Sequence, residues 1–198
     1  MRLTRGNPYI AGAALLAFIL AVIARDGRHH EVFDLFCPGR AFEEILRARE
    51  AEDPQAGFTA DHLYPDARPC LETLRGQGYR IGIAGNQPAR AADVLRESGL
   101  PFEWLVISDL AGVEKPAPAF FEHLCQLSGL HPEQVAYVGD RVDNDVVPAA
   151  RAGMLAVHVR RGPWGVIQAD RPGAEAAGLR LRSLAELPER LVALAARA

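Results

Sequence analysis

Three carboxylates crowd one short stretch. In Val138-Gly139-Asp140-Arg141-Val142-Asp143-Asn144-Asp145, acids stand at 140, 143 and 145. Val135 to Val138 are mostly apolar and β-favouring, which predicts a short buried strand. Gly139 is expected to end that strand in a tight turn. Asp140 then sits at the carboxyl tip, where open α/β sheets hold their ligands. A helical pattern follows, with Asn144 as its expected N-cap and Asp145 in its first turn. Acids this close repel one another unless a cation such as Mg²⁺ shares their charge. Asp140 and Asp145 are therefore read as metal-binding acids, and Asp143 as a solvated one.

Two further segments bring polar groups to strand ends. Ile81 to Gln87 reads as a strand running into Gly85 and Asn86. The loop Gly112 to Pro118 carries Lys115, followed by Pro116 and Pro118. A lysine pinned by prolines at the mouth of a helix is a positioned point charge, suited to a phosphate or another anion.

The elements that must position these groups can be read from periodicity and punctuation. Helices are expected over Arg68–Gln77, Pro88–Ser98, Pro118–Ser128, Asn144–Ala152 and Ser183–Arg197. Strands are expected over Tyr79–Ala84, Trp104–Ser108, Val135–Val138, Leu155–Val159 and Leu179–Leu181. Alternating strand and helix makes βαβ units, hence a Rossmann-like parallel sheet flanked by helices. Residues 1–62 read instead as a small helical cap, with helices over Tyr9–Ala24, His29–Phe36 and Arg40–Glu50, and residues 63–198 as the α/β core. The apolar run Tyr9 to Ala24 is read as a buried helix, with a signal peptide as the alternative and a membrane span disfavoured by its length.

The 198 residues carry 22 Lys and Arg against 25 Asp and Glu, a net charge of −3, with 49% hydrophobic residues. That is enough to bury one domain's core, and it offers neither the basic patch of a nucleic-acid binder nor a membrane-binding face. Cys37, Cys70 and Cys125 fit no zinc spacing and no disulfide framework, so they read as reduced thiols in a cytoplasmic protein. Arg160, Arg161 and Trp164, after the fourth strand, could face the site or pack as an ordinary loop. His29, His30, His123 and His131 read as surface residues.

From Leu63 to about Gly165 the chain resembles the haloacid dehalogenase-like (HAD) hydrolases. The matching residues are Leu63-Tyr64-Pro65-Asp66, Ile81 to Asn86, Glu114-Lys115-Pro116 with Phe120-Phe121, Val138 to Asp145, and Ala152-Gly153-Met154. The acid loop is similar to that of the phosphatase branch. The resemblance implies Mg²⁺-dependent hydrolysis of a small phosphorylated substrate through an aspartyl-phosphate. It implies that Lys115 neutralises phosphoryl oxygens, Asp140 ligates the metal, Asp145 supports the metal and its waters, and Gly85 and Asn86 adjoin the transferring group.

Two departures stand out. The family's early strand, ending Asp-x-Asp-Gly-Thr and carrying the nucleophile, is not recognisable. In Ala21 to Gly27, Ala24 occupies the nucleophile position ahead of Asp26. In Val32 to Phe36, Asp34 fits but Phe36 replaces the second acid. Gly85 stands where the family usually has a hydroxyl residue. The nucleophile strand is the family's central one, so its loss leaves two neighbouring edges unpaired. The expectation is that the given chain begins downstream of that strand, with Met1 internal to a longer protein and little activity of its own. The alternatives are a degenerate relative whose apolar N-terminus fills the gap, and a non-catalytic protein that binds a phosphorylated ligand or a protein partner. A haloacid dehalogenase would need the same missing acid.

Overall fold

The computed structural model describes residues 62–196 together with 19–25, 27, 31, 39–41, 44–45, 47–48 and 51. The chain divides into two compact units, Met1–Gly57 and Phe58–Ala198. In the first, residues 19–24, 31, 44–45, 47–48 and 51 are helical. The remainder of the three expected cap helices, Cys37, and the acids Asp26 and Asp34 lie outside the described residues. No helix among the described residues is long and apolar enough to cross a membrane.

The second unit is a parallel α/β fold. Its strands are β1 (Gly82–Gly85), β2 (Trp104–Ile107), β3 (Ala136–Gly139), β4 (Leu155–Val159) and β5 (Leu179–Leu181). The helices are α1 (Ala67–Gly76), α2 (Ala91–Glu97), α3 (Ser108–Ala111), α4 (Pro118–Ser128), α5 (Val147–Arg151), α6 (Gly162–Ile167) and α7 (Leu187–Ala195). Expected and observed bounds coincide for α4, β4 and β5. The β1 strand is shorter than expected because Tyr79 and Arg80 remain outside it. Arg80 lies over the Trp104 ring at 4.1 Å and pairs with Glu103 at 3.0 Å. Short α3 and α6 were not anticipated. The last helix starts later than Ser183, because Ser183 and Glu186 form a capping box over a 3₁₀ turn at Leu184–Glu186.

Pairing is parallel throughout, in two separate groups: β1 with β2, and β3 with β4 with β5. Among the described residues no strand joins β1 to β3, the two strands whose tips carry Asn86 and Asp140. Among the described residues the sheet is thus divided where the sequence lacks a recognisable central strand.

Period-two alternation sends β4 side chains to both faces. Val157 packs with Leu74, Leu179, Leu181, Leu187 and Leu191 on the side of α1 and α7. Ala156 packs with Phe120, Phe121, Tyr137, Val146 and Met154 on the side of α4 and α5, where Val106 of β2 joins the strands of the other group. A third cluster, around Leu95, Leu100 and Ile107, seats α2. Cys70 is buried in the first cluster, and burial pushes its thiol up to about 11, as an inert apolar residue requires.

Asp66 ties distant parts of this unit together. It accepts two hydrogen bonds from Arg161 (2.6 and 2.8 Å), one from the Ser183 hydroxyl (2.7 Å) and one from the Leu184 N–H (2.9 Å). Burial alone would raise its carboxyl, but Ser183, Arg161 and the Leu184 amide outweigh that and hold it below its ordinary value. An acid lowered in this way stabilises the fold above its unfolded pKa and loses the effect as pH falls through the folded value. Asp66→Ala is expected to cost about 2–3 kcal/mol at pH 7, since it strands an arginine and several donors. Urea melts check this, and the gap between variant and wild type should narrow at pH 3. A gap unchanged by acid would refute the assignment.

Candidate active site

The loop before α4 and the loop after β3 meet through Lys115. Its Nζ lies 2.5 Å from Asp145 Oδ1, and both side chains are removed from water, at 11% and 4% exposure. The lysine backbone is clamped as well. Asn86 Nδ2 donates to the Lys115 carbonyl at 2.8 Å, and the Lys115 N–H donates to Asn86 Oδ1 at 2.8 Å. One carboxamide therefore locks the loop residue from both sides, fixing the point charge that the prolines alone were expected to hold. The Asn86 role visible here is positioning of Lys115.

Local chain geometry explains the acid loop. The chain leaves β3 into a π-helical turn, Val142–Val146, that runs directly into α5. Both Asp145 and Val146 donate their N–H to the Arg141 carbonyl, at 2.9 and 3.1 Å. Such turns recur at functional sites because the extra residue swings a side chain out of helical register. One expectation is corrected. Asn144 does not cap the helix: it lies inside the turn, which starts at Val142 with Arg141 before it. Gly139 ends the strand as expected, as the last paired residue of β3, opposite His158. Its lack of a side chain is required, because a Cβ there would overlap the Asp145 carboxylate.

Both Asp145 oxygens are occupied, Oδ1 by Lys115 and Oδ2 by the Arg141 N–H at 3.0 Å. Among the described residues no ammonium or guanidinium pairs with Asp140. Its carboxyl is pushed up to about 6, first by burial and then by the charge of Asp145, against its own backbone hydrogen bond and the charges of Lys115 and Arg141. The two acids thus differ. Asp145 is fully engaged as the counterion of Lys115, while Asp140 is an acid held at a cost that a hard cation would relieve. A side chain at position 162 would stand 3.8 Å from Asp140 Oδ2, and Gly162, at φ 68°, keeps that approach open.

Asp143 is drawn into an ion pair with Arg141, 2.5 Å from its Nη2. Burial works against its ionised form, but the Arg141 hydrogen bond and charge prevail and lower it. Arg141 in turn stacks on Trp164 at 3.8 Å. Arg161 lies over the Tyr64 ring at 3.7 Å and is bound by Asp66, and Arg160 reaches Asp170 at 3.8 Å. Of those three loop residues, Trp164 meets the acid loop, through its stacking with Arg141. Gly85, at the tip of β1, has room for a side chain, its nearest neighbour being Gln87 Cγ at 3.5 Å.

Two residues the sequence reading passed over hold the loop from beneath. Buried His158 on β4 donates Nε2–H to the Asp140 carbonyl at 3.2 Å. Buried Gln168, just after α6, accepts from the Val142 N–H at 2.7 Å. A histidine within the otherwise apolar Leu155–Val159 was a visible signal. Nothing local marked Gln168.

Comparison with known proteins agrees with this geometry. The chain is 39% identical over 141 residues to glyceraldehyde 3-phosphate phosphatase of Methanopyrus kandleri, covering 63% of this chain and 60% of that protein. It is 36% identical over 106 residues to phosphoglycolate phosphatase of Pasteurella multocida, covering 50% and 46%. The crystal structure of a HAD phosphatase from Thermococcus onnurineus superposes with a TM-score of 0.60 at 29% identity, covering 90% of this chain and 78% of that one. The chain therefore spans 46 to 60% of the length of these two curated relatives. The model of the haloacid dehalogenase-like hydrolases matches residues 6–153, a stretch that holds Asn86, Lys115, Asp140 and Asp145. A match of that extent, over a fold of this kind, places the chain in the haloacid dehalogenase-like hydrolase family.

Proposed function

We propose that this chain carries the anion- and cation-binding part of a phosphatase site, for a small phosphate monoester with Mg²⁺ in the cytoplasm. The observation that supports it most is Lys115, locked by Asn86 and Asp145 beside a desolvated Asp140 that has no ion pair among the described residues. Mg²⁺ keeps several waters and is held by one or two carboxylates plus substrate phosphate, so the donor set fits without a larger cluster. Asp140 would hold the ion, and Asp145 would steady its waters while anchoring Lys115. When bound, Mg²⁺ neutralises phosphoryl charge. Lys115 would take the remaining phosphoryl oxygens, and the Gly85 and Asn86 tip would border them. The relatives named above act on small phosphorylated compounds, and that supports the substrate class.

A second reading is favoured by one observation. Among the described residues no carboxylate stands between β1 and β3 to attack a phosphoryl group. In that reading the chain binds a phosphorylated ligand and does not turn it over. Calorimetry with Mg²⁺ and inorganic phosphate, beside turnover of p-nitrophenyl phosphate, separates the two. Binding with little or no turnover is the expected result for these 198 residues. Turnover that Lys115→Ala abolishes would show a complete phosphatase, and its loss in Asp26→Asn or Asp34→Asn would identify the attacking acid. Absence of any binding would overturn both.

A further inference from the structure

A second basic site lies under the acid loop. On β4 and β5 the register pairs His158 with Arg180. Arg160 and Arg182 continue it, the Arg160 N–H donating to the Leu181 carbonyl at 2.7 Å. Period-two alternation puts these four side chains on one face, where they line a cleft of about 130 Å³ with Ala169, Asp170 and Leu181. Three guanidiniums therefore face one carboxylate. Among the described residues that acid, Asp170, pairs only with Arg160, at 3.8 Å and largely in water. Among the described residues the Arg180 and Arg182 guanidiniums make no ion pair or hydrogen bond, although the Arg182 backbone N–H donates to Glu186 at 3.0 Å. Like charges on neighbouring strands, about 4.8 Å apart, repel and weaken the pairing. An oxyanion is the ligand that relieves this, because planar guanidiniums grip phosphate with paired hydrogen bonds.

The cleft also touches the loop above it. His158 holds the Asp140 carbonyl, and Gln168, immediately before Ala169 and Asp170, holds the Val142 amide. The cleft walls are thus hydrogen-bonded to both ends of the Asp140–Val142 segment.

We propose that Arg160, Arg180 and Arg182 form a second oxyanion site, of the phosphate class, distinct from the Lys115 site and mechanically linked to the acid loop. Backbone amide NMR during titration with inorganic phosphate tests it in the intact chain, since each site reports separately. The amides of His158–Arg160 and Leu179–Arg182 should shift saturably, with the Val142 amide moving in step. Arg180→Ser/Arg182→Ser should weaken that binding about tenfold or more and leave shifts at Asn86 and Lys115 in place. The same variant should melt higher than wild type without phosphate, and phosphate should raise its melting temperature less. Cleft amides that stay still, or that titrate identically in the variant, would overturn the proposal. Silence at Asn86 and Lys115 alone would count against the phosphatase reading and leave this one standing.

Discussion

Replacing Lys115 with methionine is expected to destabilise the chain by about 3–5 kcal/mol at pH 7. The ammonium is the only cation within ion-pair distance of Asp145 among the described residues, and the carboxylate is 4% exposed. Removing one partner of such a pair leaves an uncompensated buried charge, which is far worse than removing both. Lys115→Met/Asp145→Asn should therefore recover much of the loss. The asparagine can still accept the Arg141 N–H, so the acid loop keeps its shape. Urea melts of the two single variants and the double variant close the cycle, and the coupling between the sites should exceed about 1 kcal/mol. Equal losses in the Lys115 variant and the double variant would mean that the pair does not hold this loop.

Asp140→Asn should act in the opposite direction. In protein freed of divalent ions, this carboxyl sits at about 6 against an ordinary 3.8. A raised acid binds its proton more tightly folded than unfolded, so stability falls as pH rises from about 4 to about 6 and is flat above. Asparagine escapes that loss. The variant should be more stable than wild type at pH 7 by up to about 3 kcal/mol, with the advantage gone below pH 4. Millimolar Mg²⁺ should then reverse the order, since only wild type has the carboxylate to gain from it. Thermal melts from pH 4 to 8, with chelator and with Mg²⁺, give both comparisons. Parallel curves for variant and wild type across that range would remove Asp140 from the metal reading.

Both effects concern residues that stood out in the sequence before any geometry was known. Lys115, Asp140 and Asp145 were legible because each sits at the end of a strongly patterned segment, and strand tips of a parallel sheet share one rim. Pro118–Ser128 was legible from proline at its start and the Gly129 after it, which adopts φ 68°. Asn144 departs from its expected place for a local reason. Helix-cap rules describe ordinary α-helix starts, whereas this helix begins with a π-helical turn, Val142–Val146, that takes Asn144 inside it. The roles of Asn86, Gln168 and Asp66 left no local trace. Asn86 looked like a ligand-facing residue because it ends a strand, and nothing nearby showed that its carboxamide holds a backbone 29 residues away.

Alternation, punctuation and the placing of charged residues at strand ends were sufficient to determine a parallel α/β core, its strand sequence, and which lysine and acids gather at its rim. Those signals are local, each confined to a few consecutive residues. The tertiary structure alone decided the division of labour at that rim: Asp145 neutralised by Lys115, Asp140 without a cation among the described residues, and Asp66 binding Arg161 from 95 residues away. It also decided that β1 and β3 remain unjoined among the described residues and that three arginines share one face of β4 and β5. Desolvation and hydrogen-bond geometry set those outcomes, and both depend on which distant segments pack together.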